Sequence, residues 1–297
     1  MEVLNSIPEK FFGIDEVDIV VIDDGSNDDT VKLANTKNVN VIGFKNKKGL
    51  SSAFRAGVEY ALSLKADILV NLDGDNQYDA RDIEKLIKPI IEKRCDIAIG
   101  ARPIDKIKNF SFTKKILQKF GSFVVQLVTR TDVKDAASGF RAFNRNALLH
   151  LNIFNPFTYT IESIIQAQNK NLSIKNVDIN VLEQKNRKSK LFKSNFHYIF
   201  SQASNLIRFF IIYRPARFFA ILAFGFFIPA IILAIRFLSY YFAGLGSGHI
   251  QSLILCAILF FISFLSCALA ILGDLLSINR KMLEQIRYEQ RYKKYFK

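Results

Sequence analysis

The stretch "ILVNLDGDNQYDARDI", residues 68–83, decides the fold. An apolar run, Ile68-Leu69-Val70, is followed by three carboxylates, Asp73, Asp75 and Asp79. A buried strand ending in acids points to a ligand edge, because open α/β sheets bind ligands beyond the carboxyl ends of their strands. Asp73 and Asp75 point to opposite sides if the chain stays extended, whereas a turn through Gly74 brings both to one site. Asp-x-Asp by itself also suits a solvated loop, and Asp79 suits the cap of a helix starting near Arg81. The sharper reading is a divalent cation, Mg²⁺ or Mn²⁺, held by carboxylates and by the phosphates of a substrate.

Outward from this stretch, strands and helices alternate. Upstream lie "VDIVVI" (17–22), the turn cluster "DDGSNDDT", a helix from Thr30, the strand "NVNVIGF" and the helix "SSAFRAGVEYALSLK". Downstream lie the helix "RDIEKLIKPIIEKR" and the strand "DIAIG". That order predicts an α/β domain, a mainly parallel, Rossmann-like sheet with helices on both faces. Asp23, Asp24, Asp73, Asp75 and Arg102 all fall just after strand ends, so five polar groups converge on one edge.

The chain has 297 residues, half of them hydrophobic, including 28 Phe. Its net charge of +14 is unevenly spread: residues 1–100 carry 13 Lys+Arg against 18 Asp+Glu, and the remainder 28 against 9. An acidic front and a basic back suit a catalytic head joined to a part that meets anionic lipid. A basic half also suits nucleic acid, but the apolar spans favour lipid, and no nucleic-acid partner is expected. Three Cys without a CxxC and three scattered His give no disulfide framework or zinc site.

Residues 218–235 and 250–273 contain no charge, and apolar character resumes after Arg236 to Ala243. Each stretch is long enough to cross a hydrocarbon core of roughly 30 Å. The spans are expected at about 218–242 and 250–273 within a hairpin over 214–276, followed by a basic tail, 277–297. Arg208, Arg214 and Arg217 before the hairpin, and Arg280, Lys281, Arg287 and Arg291 after it, place both termini and the catalytic domain in the cytoplasm of a multi-pass protein of the cell membrane. Arg236 lies near the outer end and can snorkel. Between the soluble part (1–190) and the hairpin, residues 191–213 repeat apolar side chains at three- and four-residue steps. They form either an interfacial amphipathic helix or one packed on the soluble domain.

The ordered motifs "VVIDDGSNDDT", "NKKGLSSAFRAG", "NLDGDNQYDARDI", "AIGAR", "DAASGFRAF" and "RKSKL", then two spans, resemble family 2 glycosyltransferases of the polyprenyl-phosphate type, archaeal members in particular. The resemblance implies the glycosyltransferase A fold. It implies transfer of a sugar from GDP-mannose or a UDP-hexose to dolichyl or polyprenyl phosphate, metal-dependent and inverting. Carried over by motif, Asp23 and Asp24 lie near the nucleotide, with Arg102. Asp73, Asp75 and Gln77 match the metal and diphosphate motif, which usually reads Asp-Ala-Asp-Gly-Gln-His; Gly74, Asn76 and Tyr78 depart from it. Asp135 and Ser138-Gly139-Phe140-Arg141 match the loop facing the acceptor phosphate, Glu162 an acidic helix position, and Arg187 and Lys190 a basic element for that phosphate. Asp75, Asp135 and Arg141 are the expected catalytic residues. Homo-oligomerisation stays open.

The match also breaks. Relatives begin with one more strand, central in the sheet; here sixteen residues precede Val17, and "NSIPEKFFGIDE" reads as the end of the helix after that strand. The expectation is a truncated or mis-started chain in which two strands lack a ladder partner, each orphaned amide costing roughly 1–3 kcal/mol. A non-catalytic membrane scaffold is the alternative that this break favours. A sugar polymerase of the same fold is disfavoured, because the chain has no Trp for the Gln-x-x-Arg-Trp motif of such enzymes.

Overall fold

The computed structural model describes residues 2–37, 39–103, 121–123, 125, 126, 129, 131–154, 158–182, 204, 207, 208 and 210–297. They fall into two compact units, Met1–Gln202 with Gln285–Lys297, and Ala203–Glu284.

In the first unit a short helix, α1 (Glu2–Ser6), precedes β1 (Val20–Asp23), α2 (Thr30–Asn35), β2 (Asn40–Gly43), α3 (Leu50–Ser63) and β3 (Ile68–Asn71). A 3₁₀ turn, Ala80–Asp82, then leads into α4 (Ile83–Ile91), β4 (Ile97–Ala101), β5 (Arg141–Asn144), α5 (Arg145–His150), α6 (Thr160–Asn169) and β6 (Ile174–Asp178). β1 and β2 pair in parallel as one sheet, and the second sheet has the order β3-β5-β4-β6. Three of its four strands run the same way; β5 runs antiparallel to both neighbours. The alternation of strands and helices foretells the co-directional strands. It does not foretell β5, which a non-helical approach through residues 131–140 brings back between β3 and β4. Among the described residues β1 and β3 share no ladder. These two strands are half-exposed, whereas β4 is wholly buried.

Periodicity explains the core. Ile83, Leu86, Ile87 and Ile90 line one face of α4, and they bury against Ala98, Phe140, Ala142 and Ile179. Each such side chain contributes about 1.5–3 kcal/mol. α3 likewise buries Phe54, Val58, Ala61 and Leu62 at helical spacing. Asp79 caps the 3₁₀ turn, accepting the Arg81 N–H at 3.0 Å.

Residues 285–297, the end of the chain's last helix, belong to the first unit. Arg291 is buried; it donates to Glu59 at 2.6 and 3.0 Å and to the Leu151 carbonyl at 2.6 Å. Tyr288 meets the His150 ring edge-on at 4.3 Å, and Arg145 lies over the Phe296 ring at 4.9 Å. Arg291, counted from sequence among the charges flanking a bilayer span, is thus a packed side chain.

The second unit is a helical hairpin of α7 (Pro215–Phe242) and the part of α8 (Ile250–Phe296) up to Glu284, joined through a 3₁₀ turn at Gly246–His249. The most apolar windows of these helices are only 6% and 17% buried. A soluble core helix would be mostly covered; these are long and apolar enough to span a membrane and leave their apolar faces open. Small residues sit at the helix contact. Ser263 donates to the Ala223 carbonyl at 2.9 Å, Cys256 to that of Ala230 at 3.3 Å, and a Cβ on Gly273 would come within 2.6 Å of Pro215. That is how helices approach without a hydrophobic driving force. Of the stretch read as an interfacial helix, residues 204, 207, 208 and 210–213 are described, and they are helical; the rest lies outside the described residues.

Candidate active site

The end of β1 is fixed by its own acids. Asp23, 5% exposed, accepts the Ser26 N–H at 3.1 Å. Asp24 accepts the N–H groups of Lys48 (2.7 Å) and Gly49 (3.0 Å) where α3 begins. Gly25 sits at φ 71°, and a Cβ there would press on the backbone of Asn46 and Lys47 at 3.1–3.2 Å. The turn therefore requires glycine, and Asp24 ties it to the helix.

The end of β3 turns sharply. The left-handed residue is Asn76, at φ 59°, and not Gly74. Asp75 is exposed and accepts the Gln77 N–H at 3.1 Å. This accounts for two departures from the family motif. Asn tolerates the left-handed region where relatives have Gly, and Gly74 faces open space in which the family's Ala fits. Gln77 is held by its backbone, its carbonyl accepting from Leu182 at 3.0 Å. Asp73 lies against Gly139, where an added Cβ would come 2.5 Å from its Oδ2. Burial, and then the charge of Asp75, pushes the Asp73 carboxyl up to about 6, while Arg102 and Arg141 pull against that rise. Two carboxylates that repel each other at an open rim fit a divalent cation. Among the described residues no third His, Cys, Asp or Glu joins them. The other ligands of a hard cation there would be amide, substrate and water oxygens.

Beneath this rim the charges are enclosed. Arg102 donates to Asp135 at 2.6 and 3.0 Å, and both side chains are almost inaccessible. Asp135 raises the guanidinium pKa against burial, which lowers it. Arg141 is fully buried. It donates to the carbonyls of Ala136 (2.9 Å), Ser138 (2.8 Å) and Thr160 (2.6 Å) and to Ser163 Oγ (2.7 Å). Burial pushes its pKa down to about 10, so it stays charged at neutral pH. From the motif, Arg141 and Ser138 are expected at the acceptor phosphate. In the structure both side chains are buried, Arg141 against the carbonyls of its own loop. Glu162 is also buried, accepting the Phe154 N–H at 3.0 Å. Arg187 and Lys190 lie outside the described residues.

Sequence reasoning passed over Asn71 and Tyr159, which with Tyr78 and Gly139 join the two halves of the site. The Asn71 amide donates to the Gly139 carbonyl (2.9 Å) and Tyr159 Oη (2.8 Å), and Tyr159 Oη donates to the same carbonyl at 3.1 Å. The Tyr78 hydroxyl accepts the Gly139 N–H at 3.3 Å. The one local signal was a polar Asn closing an apolar strand.

The family model for glycosyl transferase family 2 matches residues 2–151. The UDP-N-acetylglucosamine–dolichyl-phosphate N-acetylglucosaminyltransferase of Methanococcus voltae is 32% identical over 55% of this chain and 74% of that protein. The polyprenol monophosphomannose synthase of Mycolicibacterium smegmatis is 27% identical over 61% and 72%. Among solved structures, glucosyl-3-phosphoglycerate synthase from Mycobacterium tuberculosis, in complex with Mn²⁺, uridine diphosphate and phosphoglyceric acid, superposes with a TM-score of 0.50 at 16% identity. It covers 65% of this chain and 66% of that one, and shows a shared fold. With half its length matched by the family model, the chain belongs to glycosyl transferase family 2, as a glycosyltransferase of the A fold.

Proposed function

We propose that this enzyme transfers a hexosyl group from a nucleotide sugar, GDP-mannose or a UDP-hexose, to dolichyl or another polyprenyl phosphate at the cytoplasmic face of a membrane, with inversion at the anomeric carbon. One observation carries the reading: an acidic rim, Asp73 and Asp75, stands over two enclosed guanidiniums, Arg102 and Arg141, whose charges bear on Asp73. The relatives named for polyprenol and dolichyl phosphates, and two helices able to span a bilayer, support the lipid acceptor.

Asp73 and Asp75, with Gln77, would hold a divalent cation, Mg²⁺ or Mn²⁺, which when bound would neutralise charge gathering on the departing nucleoside diphosphate. The chain's own residues orient the reactants. Asp23 and Asp24 shape the nucleotide end of the cleft. Asp135 holds Arg102, and Arg141 holds the carbonyls of the 136–138 loop, so the wall facing the acceptor is rigid before substrate arrives. An acceptor phosphate is already anionic at neutral pH, so positioning matters more than a strong general base. Arg187 and Lys190 are proposed to meet that phosphate, and Glu162 to brace the wall.

Membranes bearing the full-length protein, given labelled GDP-mannose, UDP-glucose or UDP-N-acetylglucosamine with dolichyl phosphate and Mn²⁺, should yield a chloroform-soluble labelled product that chelator abolishes. No such product from any donor would leave the scaffold reading, which the divided sheet favours, in its place.

A further inference from the structure

The outer face of α3 and the C-terminal end of α8 enclose a second charged feature, whose lining includes neither Asp73 nor Asp75. An open cavity of 330 Å³ is lined by Phe44, Lys48, Ser52, Arg55, Glu59 and Arg287. All of these belong to the first unit. Ser52, Arg55, Ala56 and Glu59 recur at three- and four-residue steps, so one helix face supplies most of the wall.

The charges on this wall do not balance. Lys48, Arg55 and Arg287 are cationic; Glu59 is the sole carboxylate among the lining residues. Glu59 is already committed to Arg291 at 2.6 Å and to the Tyr295 hydroxyl at 2.9 Å, which leaves Arg287 a long contact of 3.9 Å. Arg55 uses one guanidinium nitrogen on Ser52 Oγ at 3.0 Å and another, at 3.5 Å, on the Ile153 carbonyl. Lys48 places its ammonium over the Phe44 ring at 4.8 Å. Among the described residues neither Lys48 nor Arg55 makes an ion pair. Burial, and then the positive charges of Arg291 and Arg55, lower the Arg287 pKa. Three cations sharing an open cavity with one occupied carboxylate favour an anion, and two guanidinium forks favour a tetrahedral oxyanion over a point charge.

We propose that this cavity binds a phosphate group through Lys48, Arg55 and Arg287. The group arrives on the headgroup of an anionic phospholipid or as free phosphate; the chemistry of capture is the same. Site occupancy would also tie α3 to the end of α8, since Arg287 belongs to one and Arg55 to the other.

Calorimetric titration of the full-length protein in neutral detergent tests this with three ligands: inorganic phosphate, dihexanoyl-phosphatidylglycerol and dihexanoyl-phosphatidylcholine. Saturable binding of the phosphatidylglycerol but not of phosphate identifies a headgroup site; binding of both identifies a phosphate site. In either case Arg55→Gln and Arg287→Gln should each weaken binding about tenfold, and the exposed Lys48→Gln several-fold. Lys48→Gln guards against loss of binding through a loosened helix end. Binding that all three variants leave unchanged belongs elsewhere and overturns the assignment, as does absence of binding by phosphate and phosphatidylglycerol, or equal binding of phosphatidylcholine.

Discussion

The loop 135–141 and the turn 73–77 face each other across one site and treat charge in opposite ways. In the loop every charge is enclosed and committed: Asp135 to Arg102, and Arg141 to four protein acceptors. In the turn Asp75 is exposed, and the Asp73 carboxyl is pushed up to about 6 by burial and by its neighbour. An enclosed charge bonded all round is scaffold, since losing it strands several partners. Under the proposed function the loop sets the shape of the wall, and the turn carries the chemistry.

That contrast is open to test. Arg141→Met should be the costliest change, leaving three carbonyls and a hydroxyl without their donor, at about 3–5 kcal/mol. Thermal melting of the full-length protein would show it. A variant that melts normally and loses only turnover would instead put Arg141 at the phosphate. Asp75→Asn should do the reverse: transfer falling by roughly 10²–10³-fold, with melting stability within about 0.5 kcal/mol of the parent. Gly139→Ala joins the two regions, because its methyl would occupy the place of Asp73 Oδ2. It should cost about 1–3 kcal/mol and impair transfer together; turnover unaffected would mean that the position of Asp73 is unimportant. The smallest effects belong to the turn's backbone. Gly74→Ala should be neutral or stabilise by about 0.4–1 kcal/mol, whereas Asn76→Ala should cost about 1 kcal/mol by forcing alanine to a positive φ. Equal responses would mean that Asn76 is not the left-handed residue.

Much of this site was legible because its residues are close in sequence. The β-branched run before Asp23 and Asp24, the apolar triplet before Asp73 and the capping Asp79 each announce themselves within a few positions, since strand ends, turns and caps are local physics. The two long apolar helices were legible for the same reason: a chain cannot hide eighteen uncharged residues. The burial of Arg141, Ser138 and Glu162 was not. A motif reports which residue stands at a position, but not whether its side chain points to solvent or to the carbonyls of its own loop.

By itself, the sequence determined the alternation of strand and helix, the acids at the strand ends and the two apolar spans. Tertiary structure alone decided that β5 runs backward between β3 and β4, that Asn71 and Tyr159 grip Gly139, and that Arg291 lies buried against Glu59, 232 residues away along the chain. The reason is physical. Periodicity and propensity act over a turn or two of chain. Desolvation, by contrast, is set by whatever else is packed nearby, and it separates a buried, bonded arginine from one that waits for phosphate.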